Sequence, residues 1–165
     1  MATLKLHIDE FEEIDFHLLA IHTSLEDYRL AYFLNQKLQL NLSKSVEEIK
    51  IKNKLGMSYF SRFEFEDIKN DVFWNLIENE NEISLKPTTA NQGLFNDTFT
   101  TKDFLLPEYK KVDFFLKIDN SKETINPSEI LTKVKSVGKI TTAYFTITFR
   151  HHLGIRLQHC AFCNA

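Results

Sequence analysis

The side chains best suited to bind a metal ion lie close to the C-terminus of the chain. His159, Cys160 and Cys163 combine imidazole and thiol groups, which are the ligands that Zn²⁺ prefers in proteins. The Cys-x-x-Cys pair has no second such pair and no spaced histidine pair to complete a tetrahedral site. The pattern therefore favours an adventitious tail over a native metal centre, and no cofactor is expected.

Two carboxylates, Glu108 and Asp113, bracket Lys110 and Lys111. A pair of carboxyl groups that is buried and close together can perform acid–base catalysis, so these residues are candidates for a small enzymatic pocket. The favoured interpretation is structural, because Pro107 ends a loop and Glu108 can bond a backbone amide or a lysine. For Asp113, the face on which it lies predicts a contact with Lys117 or Arg29.

A second polar group lies at the start of a predicted helix. Asp27, Tyr28 and Arg29 follow one another there, and we include Tyr28 and Arg29 with Glu108 and Asp113 as candidate binding residues. The alternative is that they are solvated or paired locally along the helix.

Composition and motifs limit the possible functions. The net charge of −3 argues against a DNA-binding protein and weighs against an RNA-binding one. We find no Gly-rich phosphate loop, no G-x-S-x-G and no H-E-x-x-H motif, and the chain has only four glycines. No apolar run approaches the roughly 20 residues of a membrane span, and the acidic N-terminal region is not typical of a signal peptide. These features predict a cytoplasmic protein that does not enter membranes.

The first half of the chain alternates between strand and helix patterns. Strands are predicted near Leu4–Ile8 and Ile14–Ala20. Thr23 and Glu26 have the spacing of a capping box, which predicts a helix whose apolar stripe extends to Leu38. The lysine-rich residues 41–56 predict an irregular connector, and two strands joined by a turn at Lys69–Asp71 follow.

In the second half, residues 79–103 are polar and predict a long loop. Val112–Ile118 alternate as a strand. A helix is predicted from Asn126 as N-cap and Pro127 as first residue to a stop at Gly138, before a last strand at Ile140–Phe149. This order predicts an α+β fold with a single, mostly antiparallel sheet of five to six strands and two helices packed on one face. Residues 1–149 form the predicted domain, and residues 150–165 an atypical His/Cys-containing tail.

One stretch resembles a known family. Leu106-Pro107-Glu108 followed by Val112-Asp113-Phe114 is similar to the signature of the IPExxxVDY family, small uncharacterised proteins of the Bacteroidota. The stretches HTSLEDYRLAYFLN at 22–35 and SRFEFED at 61–67 also look like this family, and the resemblance covers about residues 3–147. It implies a cytoplasmic protein but no activity. The tail departs from the family pattern, which a reading-frame change near residue 149 would explain.

Three functional hypotheses follow. The leading one is a non-enzymatic module that binds a protein partner or itself, because catalytic motifs are lacking and the helix over residues 24–38 has a wide apolar face. The second is an RNA-associated housekeeping factor that stacks bases on sheet aromatics. The third is a small enzyme with a pocket near Glu108 and Asp113.

Overall fold

The structure is a computed structural model that describes residues 16–53, 56–85, 99–119 and 125–146. Within these ranges the chain forms ten strands, two α-helices and one 3₁₀ turn. The strands are β1 (Phe16–Thr23), β2 (Ser43–Lys44), β3 (Ile49–Asn53), β4 (Gly56–Phe60), β5 (Arg62–Asp67), β6 (Val72–Glu78), β7 (Glu80–Leu85), β8 (Phe99–Phe104), β9 (Phe114–Asp119) and β10 (Ile140–Phe145). The helices are α1 (Asp27–Leu38) and α2 (Pro127–Lys135), and the 3₁₀ turn is Pro107–Tyr109.

Six strands form the main sheet, in the order β10-β1-β9-β6-β5-β2, and every neighbouring pair is antiparallel. Two smaller two-stranded sheets are formed by β3 with β4 and by β7 with β8. The predicted α+β class, the antiparallel sheet and its strand number are confirmed.

Both helices cover the same face of the sheet. Leu19, Leu116, Leu76 and Phe63 are direct cross-strand neighbours on β1, β9, β6 and β5, so they form one apolar row. Because side chains alternate between faces along a strand, this row faces one side of the sheet. It shares its core with helix residues Leu30, Ala31, Leu34, Ile130 and Val134.

The opposite face is covered by β-structure and a loop. Ala20, Phe115 and Ile77 form a cross-strand row on this face. They pack in a second core with Ile49 and Phe60 of the β3–β4 hairpin, and with Leu105, Leu106 and Val112 of the connection into β9. The two central strands β9 and β6 are therefore buried on both faces, which explains the near-continuous burial along them.

Local sequence signals were confirmed at two places. Asn126 caps α2 by accepting the Ser128 N–H at 3.1 Å, and Pro127 is the first helical residue. The β5–β6 turn contains Asp71 in the left-handed region with φ of 53°, while Asp67 accepts the Asn70 N–H.

Other local predictions were wrong. The capping box does not form, because Glu26 occupies the N-cap of α1 without a side-chain cap and Thr23 Oγ1 instead donates to the Lys139 carbonyl at 2.9 Å. The predicted connector over residues 41–56 contains the strands β2 and β3, and Ile49 and Ile51 alternate with lysines along β3. The predicted loop over residues 79–103 contains β7 and most of β8, which pair with each other as an antiparallel ladder, while residues 86–98 lie outside the described residues.

Three predicted features lie outside the described residues. They are the strand near Leu4–Ile8, the end of the last strand beyond Thr146, and the tail over residues 150–165.

Candidate functional site

The start of α1 brings two of the predicted site residues together. Tyr28 and Arg29 both contact Glu26: the Tyr28 hydroxyl donates to Glu26 Oε2 at 2.6 Å, and Arg29 Nε lies 4.0 Å from the same oxygen. The hydrogen bond to the Glu26 carboxylate raises the pKa of Tyr28 above its usual value. All three side chains are exposed, so this group lies at the surface and not in a pocket.

Beneath this surface group, Asp27 links three elements. Its Oδ2 atom accepts from Ser61 Oγ at 2.8 Å and from Lys44 Nζ at 3.1 Å. Ser61 is buried between β4 and β5, and Lys44 belongs to the edge strand β2. The carboxylate therefore ties the beginning of α1 to the edge of the sheet.

Glu78, at the end of β6, and Asp27 have pKa values that are shifted in opposite directions. Burial raises the pKa of Glu78, and the negative charge of Asp27 raises it further. For Asp27, burial acts to raise the pKa, but hydrogen bonds from Ser61, Lys44 and the Tyr28 amide outweigh it and hold the pKa below its usual value.

Paired carboxyls with diverging pKa values are a feature of acid–base sites. Here Asp27 accepts a hydrogen bond from the Ser61 hydroxyl, and its lowered pKa makes its carboxylate a weak base for removing the Ser61 proton. The arrangement is better suited to fastening α1 to the sheet than to nucleophilic catalysis.

The other predicted pair, Glu108 and Asp113, does not form a carboxylate dyad. Glu108 is exposed in the 3₁₀ turn, whereas Asp113 is half-buried and accepts the backbone N–H of Thr23 at 2.8 Å. The sequence predicted that Asp113 contacts Lys117 or Arg29, and this prediction was wrong. Lys117 Nζ lies 2.7 Å from Asp119 Oδ1, and Arg29 approaches Glu26.

Asn79 holds the segment of residues 106–112 in place, and the sequence analysis did not single it out. Its side chain is fully buried, donates to the carbonyls of Tyr109 and Val112 at 2.9 and 2.8 Å, and accepts the Leu106 N–H at 2.9 Å. One amide therefore satisfies three backbone groups of residues 106–112. The sequence signal that could have indicated this role is a polar amide that directly follows the mostly apolar strand β6.

Alongside these polar groups, the outer face of α1 exposes two aromatic side chains. Tyr28 and Tyr32 lie one turn apart and are each 57% exposed. The Tyr32 hydroxyl accepts from Gln36 Nε2 at 2.8 Å, and its ring packs edge-on against Phe33 with centroids 5.5 Å apart. We call the exposed ridge formed by Tyr28, Tyr32 and Gln36 the α1 ridge.

The predicted metal ligands His159, Cys160 and Cys163 lie outside the described residues. In the part of the chain that the structure describes, no group of three or more His, Cys, Asp or Glu side chains is placed to hold a metal ion. Among the same residues, neither helix has the length and apolar character needed to cross a membrane.

Comparison with known proteins adds no relative: no family model, curated protein or solved structure matches the chain.

Proposed function

We propose that this chain is a non-enzymatic protein-interaction module that forms a homodimer through the α1 ridge. The observation that carries the proposal is the exposure of Tyr28 and Tyr32, at 57% each, on adjacent turns of one helix. Tyrosine is enriched in the buried centres of protein interfaces because it combines a large apolar ring with a hydrogen-bonding hydroxyl.

Both tyrosines are held in place before any partner binds. Glu26 fixes the hydroxyl of Tyr28, and Gln36 together with Phe33 fixes Tyr32. Side chains that are ordered in advance lose less conformational entropy on association, which favours binding. Elsewhere, Met57 and Tyr59 of β4 are also exposed, but less so, at 44% and 46%.

The charges that flank the ridge favour a second copy of the chain as the partner. Glu26 directly precedes α1 and Lys37 lies in its last turn; both are exposed. Eleven residues correspond to about three helical turns, so the two charges lie on nearly the same flank at opposite ends. When two copies of α1 pack antiparallel about a twofold axis, Glu26 of each copy faces Lys37 of the other.

Sedimentation equilibrium of the full chain tests the tyrosines. Tyr32→Ala should raise the dimer Kd by about tenfold or more, since an interface hot spot costs more than about 1 kcal/mol and is lost from both copies. Tyr59→Ala removes a comparably exposed tyrosine from β4 and should leave the Kd unchanged. A chain that stays monomeric at high concentration overturns the proposal.

A charge exchange tests the antiparallel arrangement. Glu26→Lys and Lys37→Glu should each weaken the dimer about 2- to 30-fold, because two exposed ion pairs at about 0.2–1 kcal/mol each are lost. The double variant should bind more tightly than Glu26→Lys alone, because the ion pair is re-formed with its signs reversed, but it should not regain the part of the affinity that depends on the Tyr28–Glu26 hydrogen bond. A double variant no tighter than Glu26→Lys alone rules out this pairing even if the chain is dimeric.

The rival hypotheses have less support from the geometry. The RNA hypothesis relies on exposed Phe and Tyr of the sheet and on lysines near residues 44–54. Phe63, Phe114 and Phe115 are buried beneath the layers that cover the sheet, whereas Tyr59 and Tyr144 are 46% and 38% exposed. The enzyme hypothesis relies on a Glu108–Asp113 pocket, whereas Asp113 is engaged with the Thr23 backbone. Membership of the IPExxxVDY family and a cytoplasmic location remain part of the proposal, supported by the segments quoted above.

A further inference from the structure

Ser45 lies beside a mostly buried arginine at the point where the chain leaves the edge strand β2. The Ser45 N–H donates to the Arg62 carbonyl at 2.9 Å, which extends the β2–β5 pairing by one residue and places the two residues opposite each other. The Ser45 hydroxyl oxygen accepts from Arg62 Nη2 at 3.2 Å and from the Glu47 N–H at 3.3 Å. Two hydrogen-bond donors therefore already converge on this oxygen.

The guanidinium group of Arg62 is only partly used. Its side chain is 11% exposed, and Nη2 also lies 2.6 Å from Glu64 Oε2. Nε, which shares one edge of the planar group with Nη2, is buried and has no acceptor among the described residues. The two N–H groups of such an edge fit two oxygens of one phosphate group. Arg62 thus keeps an unfilled donor on the edge whose other nitrogen contacts Ser45.

The segment that contains Ser45 is accessible to an enzyme. Residues 45–48 lie between β2 and β3, outside any strand or helix, and Val46 is fully exposed. Glu47 and Glu48 are exposed two and three residues after the serine. Protein kinases select substrates partly by their charge pattern, and two carboxylates after the acceptor serine complement a basic substrate groove.

We propose that Ser45 is a phosphorylation site for a serine kinase that prefers acidic substrates, and that Arg62 holds the phosphate. The kinase transfers the γ-phosphoryl group of ATP: the bond between the γ-phosphorus and ADP breaks, a bond to Ser45 Oγ forms, and the hydroxyl proton passes to the catalytic base of the kinase. The phosphate accepts from Nη2 and Nε of Arg62 and from the Glu47 N–H. Glu64, whose side chain is 34% exposed, releases Nη2 and returns to water. The modification fastens residues 45–48 to β5.

The first experiment uses the full chain with phosphoserine incorporated at position 45 during translation. Titration followed by ³¹P NMR compares the phosphate in the folded chain and in concentrated urea. Glu47 and Glu48 stay close to the phosphate in both states because they are its neighbours in the chain, whereas Arg62 and Glu64 lie near it only after folding. The Arg62 charge lowers the phosphate pKa and the Glu64 charge raises it, so capture by Arg62 should make the acid dissociation constant about tenfold higher in the folded chain.

Phosphoserine at position 43 is the matched control. Ser43 is exposed on the same edge strand but lies opposite Glu64, so folding should leave the pKa of this phosphate unchanged or raise it. A phosphate at position 45 whose pKa does not fall on folding, or falls equally at position 43, overturns the proposal. Arg62→Gln should abolish the decrease at position 45, and a decrease that persists in this variant would also overturn it.

A second experiment tests the kinase step on the unmodified chain. The protein is incubated with ATP and purified casein kinase 2, a kinase of this preference, and the product is mapped by phosphopeptide mass spectrometry. We expect phosphate on Ser45, and replacement of both Glu47 and Glu48 by Gln should slow the initial rate about 2- to 30-fold, as for the loss of two exposed ion pairs. Absence of phosphate on Ser45, or a rate that the double replacement leaves unchanged, contradicts the proposal.

Discussion

Asp113 Oδ2 accepts the backbone N–H of Thr23 at 2.8 Å, although the two residues are 90 positions apart in the chain. The backbone of Asp113 makes two further long-range bonds: its N–H donates to the Ile21 carbonyl at 3.1 Å, and its carbonyl accepts from Asn79 N–H at 2.9 Å. Asp113 thus joins the end of β1 to the end of β6. Asp113 therefore stabilises the sheet where the 106–114 segment enters β9.

This contact predicts a graded loss of stability. Asp113→Ala should lower the free energy of unfolding by about 1.5–3 kcal/mol, the range for hydrogen bonds to charged groups. Asp113→Asn should cost less, because its amide oxygen can still accept the Thr23 N–H. Urea denaturation at neutral pH measures both, and equal losses would contradict the assigned bond.

Asn79→Ala should be among the more damaging substitutions in the described chain. It leaves the Tyr109 and Val112 carbonyls and the Leu106 N–H without their partner, and each unsatisfied buried group costs about 1–3 kcal/mol, with incomplete additivity. We therefore expect a loss of about 3 kcal/mol or more in urea unfolding. Asn81→Ala, two residues along the chain, is the matched control and should change stability by about 0.5 kcal/mol or less.

Glu78→Gln should stabilise the protein at neutral pH. The pKa of Glu78 is raised in the folded state by burial and by Asp27, so the native state binds more protons than the unfolded state between the two pKa values. The stability associated with Glu78 is present below its unfolded pKa and is lost as pH rises through the folded pKa. The gain from Glu78→Gln should consequently vanish near pH 4, which urea denaturation at pH 4 and pH 7 measures.

Asp27 should show the opposite pH dependence. Because its folded pKa is lowered by Ser61, Lys44 and the Tyr28 amide, its contribution is present above its unfolded pKa and is lost as pH falls through the folded value. Asp27→Asn should therefore destabilise at pH 7 and have a shrinking effect in acid. In this background the stabilisation by Glu78→Gln should be smaller, because one cause of the raised Glu78 pKa is gone; a double-mutant cycle without coupling would refute the link.

Asn126→Ala should lower stability by about 1 kcal/mol, within the range for the loss of an N-cap side chain. The substitution removes the acceptor of the Ser128 N–H at the first turn of α2. Asn126→Asp retains an acceptor and favours the positive end of the helix dipole, so it should preserve or increase stability. Thermal unfolding monitored by circular dichroism compares the three proteins.

Structural features that depend on residues close together in the chain could be predicted from the sequence. The Asn126–Pro127 start of α2 is set by capping and by the fixed φ of proline, and the Lys69–Asp71 turn by the tolerance of Asp71 for a left-handed backbone. The buried stripe of α1, with Leu30, Ala31 and Leu34, follows from helical periodicity alone. The β3 strand was missed because only one face of the β3–β4 hairpin is apolar. The lysines on its other face make the sequence look like a solvated connector.

The sequence by itself determined the α+β class, the two helices, their shared face and the main hydrophobic periodicities, because these depend on spacing along the chain. Only the tertiary structure decided which polar residues meet. Asp113 with Thr23, Asn79 with residues 106–112, and Asp27 with Ser61 are contacts across 27 to 90 positions, fixed by strand order and register. Within the Glu108–Asp113 segment, the sheet accordingly holds Asp113 in place through contacts that are distant in the chain.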